Sequence, residues 1–294
     1  MKKLFITTFV LLTALMAQAQ TKISPKLENG FKAVYSTVNT LNMMDMSALT
    51  VTSEDEYAVS NVTPEGAVIT ITNLSMSPIQ TEGIDPVTFI LLTTAHVLEN
   101  TTVKLQVNAD GVPQKILNLE EVKGKVDEVM NAAITKFFET NAELAQVMPK
   151  DKFLEQISGR IDEEMLLSSF DVLELNGKTV ANGYQDTYTN DEGLKMKRMY
   201  FVSGNKVISN ANLDMSKDEM KAFIISQIEK EAPEQAEAIK QNIDLVMSQL
   251  KVEMTEKYTF DLQDNKWPAS ITSEQSQDSM GQSMKATSVI TLKQ

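Results

Sequence analysis

The chain has 294 residues, contains no cysteine and only one histidine, and carries a formal net charge of −13. These counts argue against disulfides, thiol catalysis, structural zinc sites and catalytic triads built on histidine. The negative charge disfavours binding to phosphate backbones and to anionic membrane surfaces. We therefore predict no nucleic-acid partner, no metal site and no cofactor, and no residue is assigned a catalytic role.

The N-terminus has the pattern of a bacterial signal peptide. Two lysines precede an apolar run over residues 4–16, and Ala17 and Ala19 place small residues where a signal peptidase cleaves. The apolar run is too short for a stable transmembrane helix. The pattern predicts a signal peptide over residues 1–19, a mature chain that starts at Gln20 with a charge of −15, and a periplasmic or secreted protein without stable membrane insertion.

The first part of the mature chain is predicted to form antiparallel strands. Phe31, Ala33 and Tyr35 alternate with other residues, as in a strand with one buried face. Turn residues at 63–66 and an Asp-Gly pair at 110–111 each join two alternating segments. We expect hairpins over residues 57–74 and 103–117.

Helical blocks follow each group of strands. Asn118 and Glu121 have the spacing of a capping box, and so do Ser216 and Glu219. Apolar residues then recur every three or four positions, which predicts amphipathic helices. Pro233 is expected to restart the second block. The predicted helical segments are 118–137, 152–165 and 216–250.

The rest of the chain is predicted to be β-structure. One group of strands is expected from about Ser168 to Asn210, and a second group from Tyr258 to Leu292. The polar stretch 273–283 is interpreted as flexible. Within it, Ser279 and its two neighbours resemble the three-residue O-glycosylation acceptor of exported Bacteroidota proteins, so Ser279 is a predicted modification site.

Two segments of the sequence resemble each other, and we call this similarity the internal echo. A shift of 155 residues superposes two predicted hairpins without a gap. One interpretation is a duplicated unit with halves at 20–166 and 167–294; the other is that two amphipathic hairpins look alike. The matched residues are Val103 and Tyr258, Leu105 and Phe260, Val107 and Leu262, Val112 and Trp267, Pro113 and Pro268, and Ile116 and Ile271.

The whole mature chain resembles a family of uncharacterised exported Bacteroidota proteins. The resemblance rests on the polar, β-rich start at 30–35 and on the closing segment 258–261 followed by Trp267-Pro268. Strands wrapped on amphipathic helices are also similar to periplasmic lipoprotein carriers of the LolA/LolB type. Neither resemblance supplies an activity, since fold does not fix function.

These observations predict an α+β fold with a single domain over residues 20–294. In it, a strongly curved antiparallel sheet, or two related sheets, is covered on one side by amphipathic helices. A hollow between sheet and helices would accept a hydrophobic, lipid-like ligand. The candidate lining residues lie on apolar helix faces: Met130, Phe137, Phe138, Met220 and Phe223.

Two other hypotheses stay open. The same apolar side chains suit a filled core, and the protein would then be a non-catalytic envelope protein that acts through protein partners. A carboxylate-based hydrolase would instead require a polar cleft in which acidic oxygens face each other.

Overall fold

A computed structural model of the protein describes residues 20–43, 48–78, 98–141, 163–190, 193–231, 240–245, 252–279 and 282–293, together with positions 89, 93, 96, 150, 237, 247 and 250. Strands dominate the described chain. They are β1 Thr21–Lys22, β2 Lys32–Met43, β3 Leu49–Thr63, β4 Gly66–Met76, β5 Thr102–Asn108, β6 Pro113–Ile116, β7 Thr179–Val180, β8 Gln185–Thr189, β9 Lys195–Ser203, β10 Lys206–Leu213, β11 Val252–Leu262, β12 Pro268–Ser279 and β13 Gln282–Leu292.

Helices are few in the described part of the chain. They include α1 Leu119–Thr140, α2 Glu163–Ser168, a 3₁₀ helix at Asp171–Leu173, and α3 Lys217–Glu231, and residues 240–245 are helical as well. No helix among these residues is long and apolar enough to cross a membrane.

Eleven strands form one antiparallel sheet in the order β6-β5-β4-β3-β2-β13-β12-β11-β10-β9-β8. The sheet is open, with β6 and β8 at its edges, and β1 pairs separately with β7. The last strand, β13, joins strands β2–β6 to strands β8–β12, because it pairs with β2 on one side and with β12 on the other. The expected antiparallel sheet is therefore confirmed.

One side of this sheet carries the core, and we call it the inner face. Ala33, Tyr57, Ile71 and Val103 are aligned across β2 to β5, and all four are buried. Helix α1 contributes six residues to the same buried cluster. They are Val122, Val126, Met130, Ala133, Ile134 and Phe137.

Trp267 anchors the N-terminal segment to the sheet. Its ring is fully buried, stacks on Phe31 at 4.8 Å between centroids, and donates from Nε1 to the carbonyl of Lys26 at 3.1 Å. Because the indole has both an apolar body and a polar donor, it fits this junction without leaving an unpaired group. The single tryptophan therefore has a core role.

A smaller cluster lies beside α3. The capping box at its start is confirmed, since the Ser216 amide donates to Glu219 Oε2 at 2.8 Å and the Glu219 amide donates to Ser216 Oγ at 3.2 Å. These bonds and Lys195 lower the pKa of the exposed Glu219 carboxyl. Met220 belongs to the buried part of this cluster, and Phe223 packs against it.

Three local expectations are corrected. Asn118 makes no side-chain capping bond; its Oδ1 accepts from the Lys104 amide at 2.9 Å, so the side chain ties α1 to β5 instead. The stretch 169–178 contains a 3₁₀ helix and turns where a strand was expected. Residues 273–279, expected to lie in a flexible stretch, form the end of β12 and are paired with both β11 and β13.

The two hairpins of the internal echo have the same geometry. Each has a register shift at the matched position, between Gln106 and Val107 and between Asp261 and Leu262. Each turn also contains one residue with positive φ, Gly111 at 77° and Lys266 at 66°. The shared pairs are Val107 with Pro113 and Leu262 with Pro268, and Leu105 with Ile116 and Phe260 with Ile271.

The order of elements also repeats. Strands β1 to β4, an intervening segment, and the β5-β6 hairpin correspond in sequence to β7 to β10, an intervening segment that includes α3, and the β11-β12 hairpin. Within the sheet, the order β6-β5-β4-β3-β2 matches the order β12-β11-β10-β9-β8. Duplication of the halves 20–166 and 167–294 stays a prediction, and this order is the one it expects.

Candidate functional site

A line of polar residues crosses the inner face, and we call it the polar row. Its members are directly opposite one another on six adjacent strands, from β2 through β13, β12, β11 and β10 to β9. An interior sheet face is ordinarily apolar, so buried polar groups are the informative exception, and three members of the row, Ser273, Ser209 and Tyr200, are buried. The row consists of Asn39, Ser288, Ser273, Tyr258, Ser209 and Tyr200.

The row beside it is apolar. Ile290, Ile271, Phe260 and Val207 are aligned across β13, β12, β11 and β10, and all are buried. The change from apolar to polar therefore occurs within single strands, two residues further along the same face. From this row onward, the inner face is no longer lined by apolar side chains alone.

Two adjacent cavities lie on the inner face next to the 168–172 segment. The first has a volume of about 250 Å³ and the second about 320 Å³. Asn39, Ser169 and Asp171 line both, so we treat the two as one space, the inner-face cleft. Together they fall within the range of small-ligand sites, roughly 300–1,000 Å³.

The first cavity combines an apolar wall with paired polar groups. Ile71, Val103 and Leu98 form part of the wall. Asp55 accepts from Asn73 Nδ2 at 2.8 Å on one oxygen and from Ser53 Oγ at 3.0 Å on the other. Burial raises the pKa of Asp55, while these two hydrogen bonds act in the opposite direction.

Asn73 is itself fully used in that network. It is buried, and its Oδ1 accepts from the Asn100 amide at 3.1 Å. Ser53, Asp55 and Asn73 in the first cavity are thus paired within the fold, as buried polar groups normally are.

The second cavity is different. Its floor is the polar row from Asn39 to Tyr258, extended by Gln275 on the same strand as Ser273. Gln275 Nε2 donates to the Tyr258 hydroxyl at 3.1 Å. Ser288 Oγ, by contrast, is buried and has no hydrogen-bond partner in the structure.

The charged side chains among the described lining residues of the cleft are acidic. Among the described residues, those lining it include Asp55 and Asp171 but no lysine, arginine or histidine. Burial raises the pKa of Tyr57, and the charges of Asp55 and Asp171 raise it further. Burial and the charge of Asp171 likewise raise the pKa of Tyr258, so both phenols stay protonated at neutral pH.

A charged cluster lies further along the sheet, beyond the second cavity. Arg198 makes two hydrogen bonds to Asp186, at 3.0 and 2.9 Å, and its guanidinium lies 4.4 Å from the ring centre of Tyr188. Tyr188 in turn donates to the buried Glu256 at 2.5 Å. Because its charges are paired within the fold, we interpret this cluster as structural.

The predicted lining residues lie elsewhere. Met130 and Phe137 are buried in the large core cluster, and Phe138 packs against it; Met220 and Phe223 belong to the smaller cluster. The structure does not bring these two groups together, and none of the five lines the inner-face cleft. Their role in binding stays a prediction.

Other predicted sites have mixed positions. Ala17 and Ala19 lie outside the described residues, and Gln20 is exposed at the first described position. Ser279 ends β12, and the structure does not describe its side chain. His96 is buried, with Nε2 2.6 Å from the carbonyl oxygen of Ser77, as expected of a core histidine. Among the described residues, no group of acidic or histidine side chains could hold a metal ion.

Sequence reasoning missed the polar row. The signal in the sequence was that a polar residue replaces an apolar one on the same face of a strand. In β13, Ser288 lies two residues before Ile290, and in β12, Ser273 lies two residues after Ile271. That β13 lies between β2 and β12 depends on pairing between distant segments, which the pattern of one strand does not reveal.

No protein-family model matches the chain, and no curated protein sequence matches it significantly. Solved structures show weak similarity. A structure of lipid–protein interactions in lipovitellin has 8% identity and a TM-score of 0.39; the match covers 92% of this chain but only 26% of that one, so this chain spans about a quarter of its length.

Two further structures match less well. Rv2717c from M. tuberculosis has 5% identity and a TM-score of 0.25, with 89% of this chain and 91% of that chain covered. A porin-like protein from Bacteroides uniformis has 8% identity and a TM-score of 0.18, with 93% and 99% covered. Similarity at this level supports no argument about function, which therefore rests on the inner-face cleft.

Proposed function

We propose that this protein binds a small, partly apolar ligand in the inner-face cleft, and that the ligand is uncharged or cationic. The observation that carries the proposal is the polar row, which interrupts an otherwise apolar sheet face where two adjacent cavities open. Binding sites of this kind combine apolar walls with a few placed polar groups.

The lining favours a ligand with two parts. Ile71, Val103 and Leu98 offer apolar surface in the first cavity, where an alkyl or ring portion would lie. The second cavity offers hydroxyl and amide groups, among them those of Ser288 and Gln275. A partly apolar ligand belongs to the lipid-like class expected from the sequence, but its proposed binding site is on the sheet and not on the helix faces.

The charge of the cleft selects against anions. Asp171 borders both cavities, and no basic residue among the described lining would neutralise a carboxylate or phosphate. A like charge held within a few ångströms in a partly buried site is strongly unfavourable. We therefore expect fatty acids and phospholipids to be rejected.

Isothermal titration calorimetry tests the proposal with three ligands that share a decyl chain: decylglycerol, decyltrimethylammonium and decanoate, each below its micelle concentration. We expect the first two to bind and the anion to bind at least about tenfold more weakly. Equal binding of all three, or preference for decanoate, would contradict the proposal.

A matched pair of variants locates the binding. Asn39→Trp places a large ring on the inner face at a position shared by both cavities, and should abolish binding. Thr52→Trp makes the same size change at an exposed position of β3 that lines neither cavity, and should leave binding intact. Circular dichroism on both variants checks that they fold.

We also propose that the protein acts after export. The support is the sequence pattern of residues 1–19, with cleavage between Ala19 and Gln20. The intact mass of protein purified from a periplasmic extract should correspond to a chain that begins at Gln20. A full-length mass in the cytoplasmic fraction would overturn this part of the proposal.

A second candidate function is hydrolysis by paired carboxylates, and one observation favours it. Asp55 and Asp171 line the same cavity, and both raise the pKa of Tyr57. A panel of chromogenic glycosides and esters, assayed with the wild type and with Asp171→Asn, tests this candidate. Turnover that the substitution abolishes would support it, and absence of turnover across the panel would count against it.

A further inference from the structure

We propose that the second cavity recognises a neutral, hydroxyl-bearing head group, such as that of a glycerol or a sugar. This inference rests on the proposed function and names the polar half of its ligand. It follows from the unpaired serine in the polar row and from the chemistry of the side chains around it.

The unpaired hydroxyl of Ser288 is the main support for this inference. It lies between Asn39 on β2 and Ser273 on β12, in direct cross-strand register with both. Its Oγ is buried without a hydrogen-bond partner. A buried polar atom left unpaired is destabilising, and the large majority of such atoms in folded proteins are paired. A ligand group that reaches Ser288 would supply the missing bond.

The neighbouring groups define what that ligand group must be. Ser273 is buried beside Ser288, and the Tyr258 hydroxyl accepts from Gln275. The Tyr258 phenol is protonated at neutral pH and can donate, and burial raises its pKa further. The floor of the cavity thus offers neutral donors and acceptors side by side.

A hydroxyl group matches this floor because it donates and accepts at once. An ammonium group only donates and would leave the donors of the cavity unpaired, whereas a carboxylate only accepts and would be repelled by Asp171. A site that hydrogen-bonds a ligand hydroxyl rejects an analogue without it, because its own polar groups are then buried and unpaired.

The test compares decylglycerol with its dimethyl ether, in which both hydroxyls are methylated and the chain is unchanged. Calorimetry on the wild type should show about tenfold tighter binding of the diol. Ser288→Ala should weaken diol binding about threefold to tenfold and leave ether binding unchanged. Ser60→Ala makes the same change at an exposed position on β3 that lines neither cavity, and should alter neither affinity.

Each other outcome has a defined meaning. Equal binding of diol and ether by the wild type would overturn the head-group inference while leaving ligand binding in the cleft intact. An equal loss of both ligands in Ser288→Ala would show that the serine acts only on structure, and would also overturn it. Failure of the wild type to bind either ligand would overturn this inference together with the proposed function.

Discussion

The two cavities of the inner-face cleft lie side by side on one sheet, yet their polar groups differ in whether the fold supplies hydrogen-bond partners. In the first cavity, Asp55 accepts from Asn73 and Ser53, and Asn73 is also bonded to the loop at Asn100. In the second, Ser288 Oγ has no partner. A polar group that the fold pairs has a structural reason to be there, whereas an unpaired one in a residue that lines a cavity, as Ser288 does, favours a partner from outside.

The comparison predicts that substitutions in the first cavity are the more destabilising. Asn73→Ala removes the donor to Asp55 and the acceptor of the Asn100 amide, so both are left without that partner. We expect the free energy of unfolding to fall by about 2–3 kcal/mol. Urea denaturation measures it, and a loss below about 0.5 kcal/mol would contradict the structural role of this network.

Ser53→Ala removes one of the two donors to Asp55 and leaves the bond from Asn73 in place. The expected loss in the free energy of unfolding is about 1 kcal/mol, smaller than that for Asn73→Ala. If the order of the two variants were reversed in the same urea series, the assignment of Asn73 as the centre of the network would be wrong.

Asp55 makes the stability of the first cavity depend on pH. Its folded-state pKa is raised above the ordinary value of 3.8, so its contribution is fully present below that value and is lost as the pH rises through the raised pKa. Relative to the wild type, Asp55→Asn should therefore be more stable near pH 7 than near pH 4. A difference in unfolding free energy that does not change with pH would contradict the raised pKa.

Ser288→Ala should have the smallest effect on stability. Because its hydroxyl has no partner, its removal breaks no hydrogen bond in the free protein. We expect the free energy of unfolding to stay within about 0.5 kcal/mol of the wild type or to rise slightly. A loss above about 1 kcal/mol would show that Ser288 is paired in solution, and the contrast between the cavities would then disappear.

Local chemistry made much of the fold predictable. The hairpins at 57–74 and 103–117 are confirmed because turn residues and alternation act over a few positions. The capping box of Ser216 and Glu219 is confirmed for the same reason. The predicted capping role of Asn118 was wrong because the backbone amide of Lys104, on a strand, competes for the same side-chain oxygen.

The site depended on contacts that no local pattern contains. The stretch 273–283 was interpreted as flexible because it is polar and lacks a regular apolar pattern. Pairing with β11 and β13 nevertheless holds residues 273–279 in a strand. Asn39 and Ser288 are far apart in sequence and meet only because β13 pairs with β2.

The central claim is that ligand binds in the inner-face cleft and not on the helix faces predicted from the sequence. Methyl NMR of ¹³C-methionine protein, titrated with decylglycerol, separates the two directly. Met76 and Met165 line the first cavity, whereas Met130 and Met220 are buried in the two core clusters. We expect the methyl signals of Met76 and Met165 to shift with ligand while those of Met130 and Met220 stay in place; shifts at Met130 and Met220 alone would contradict the account.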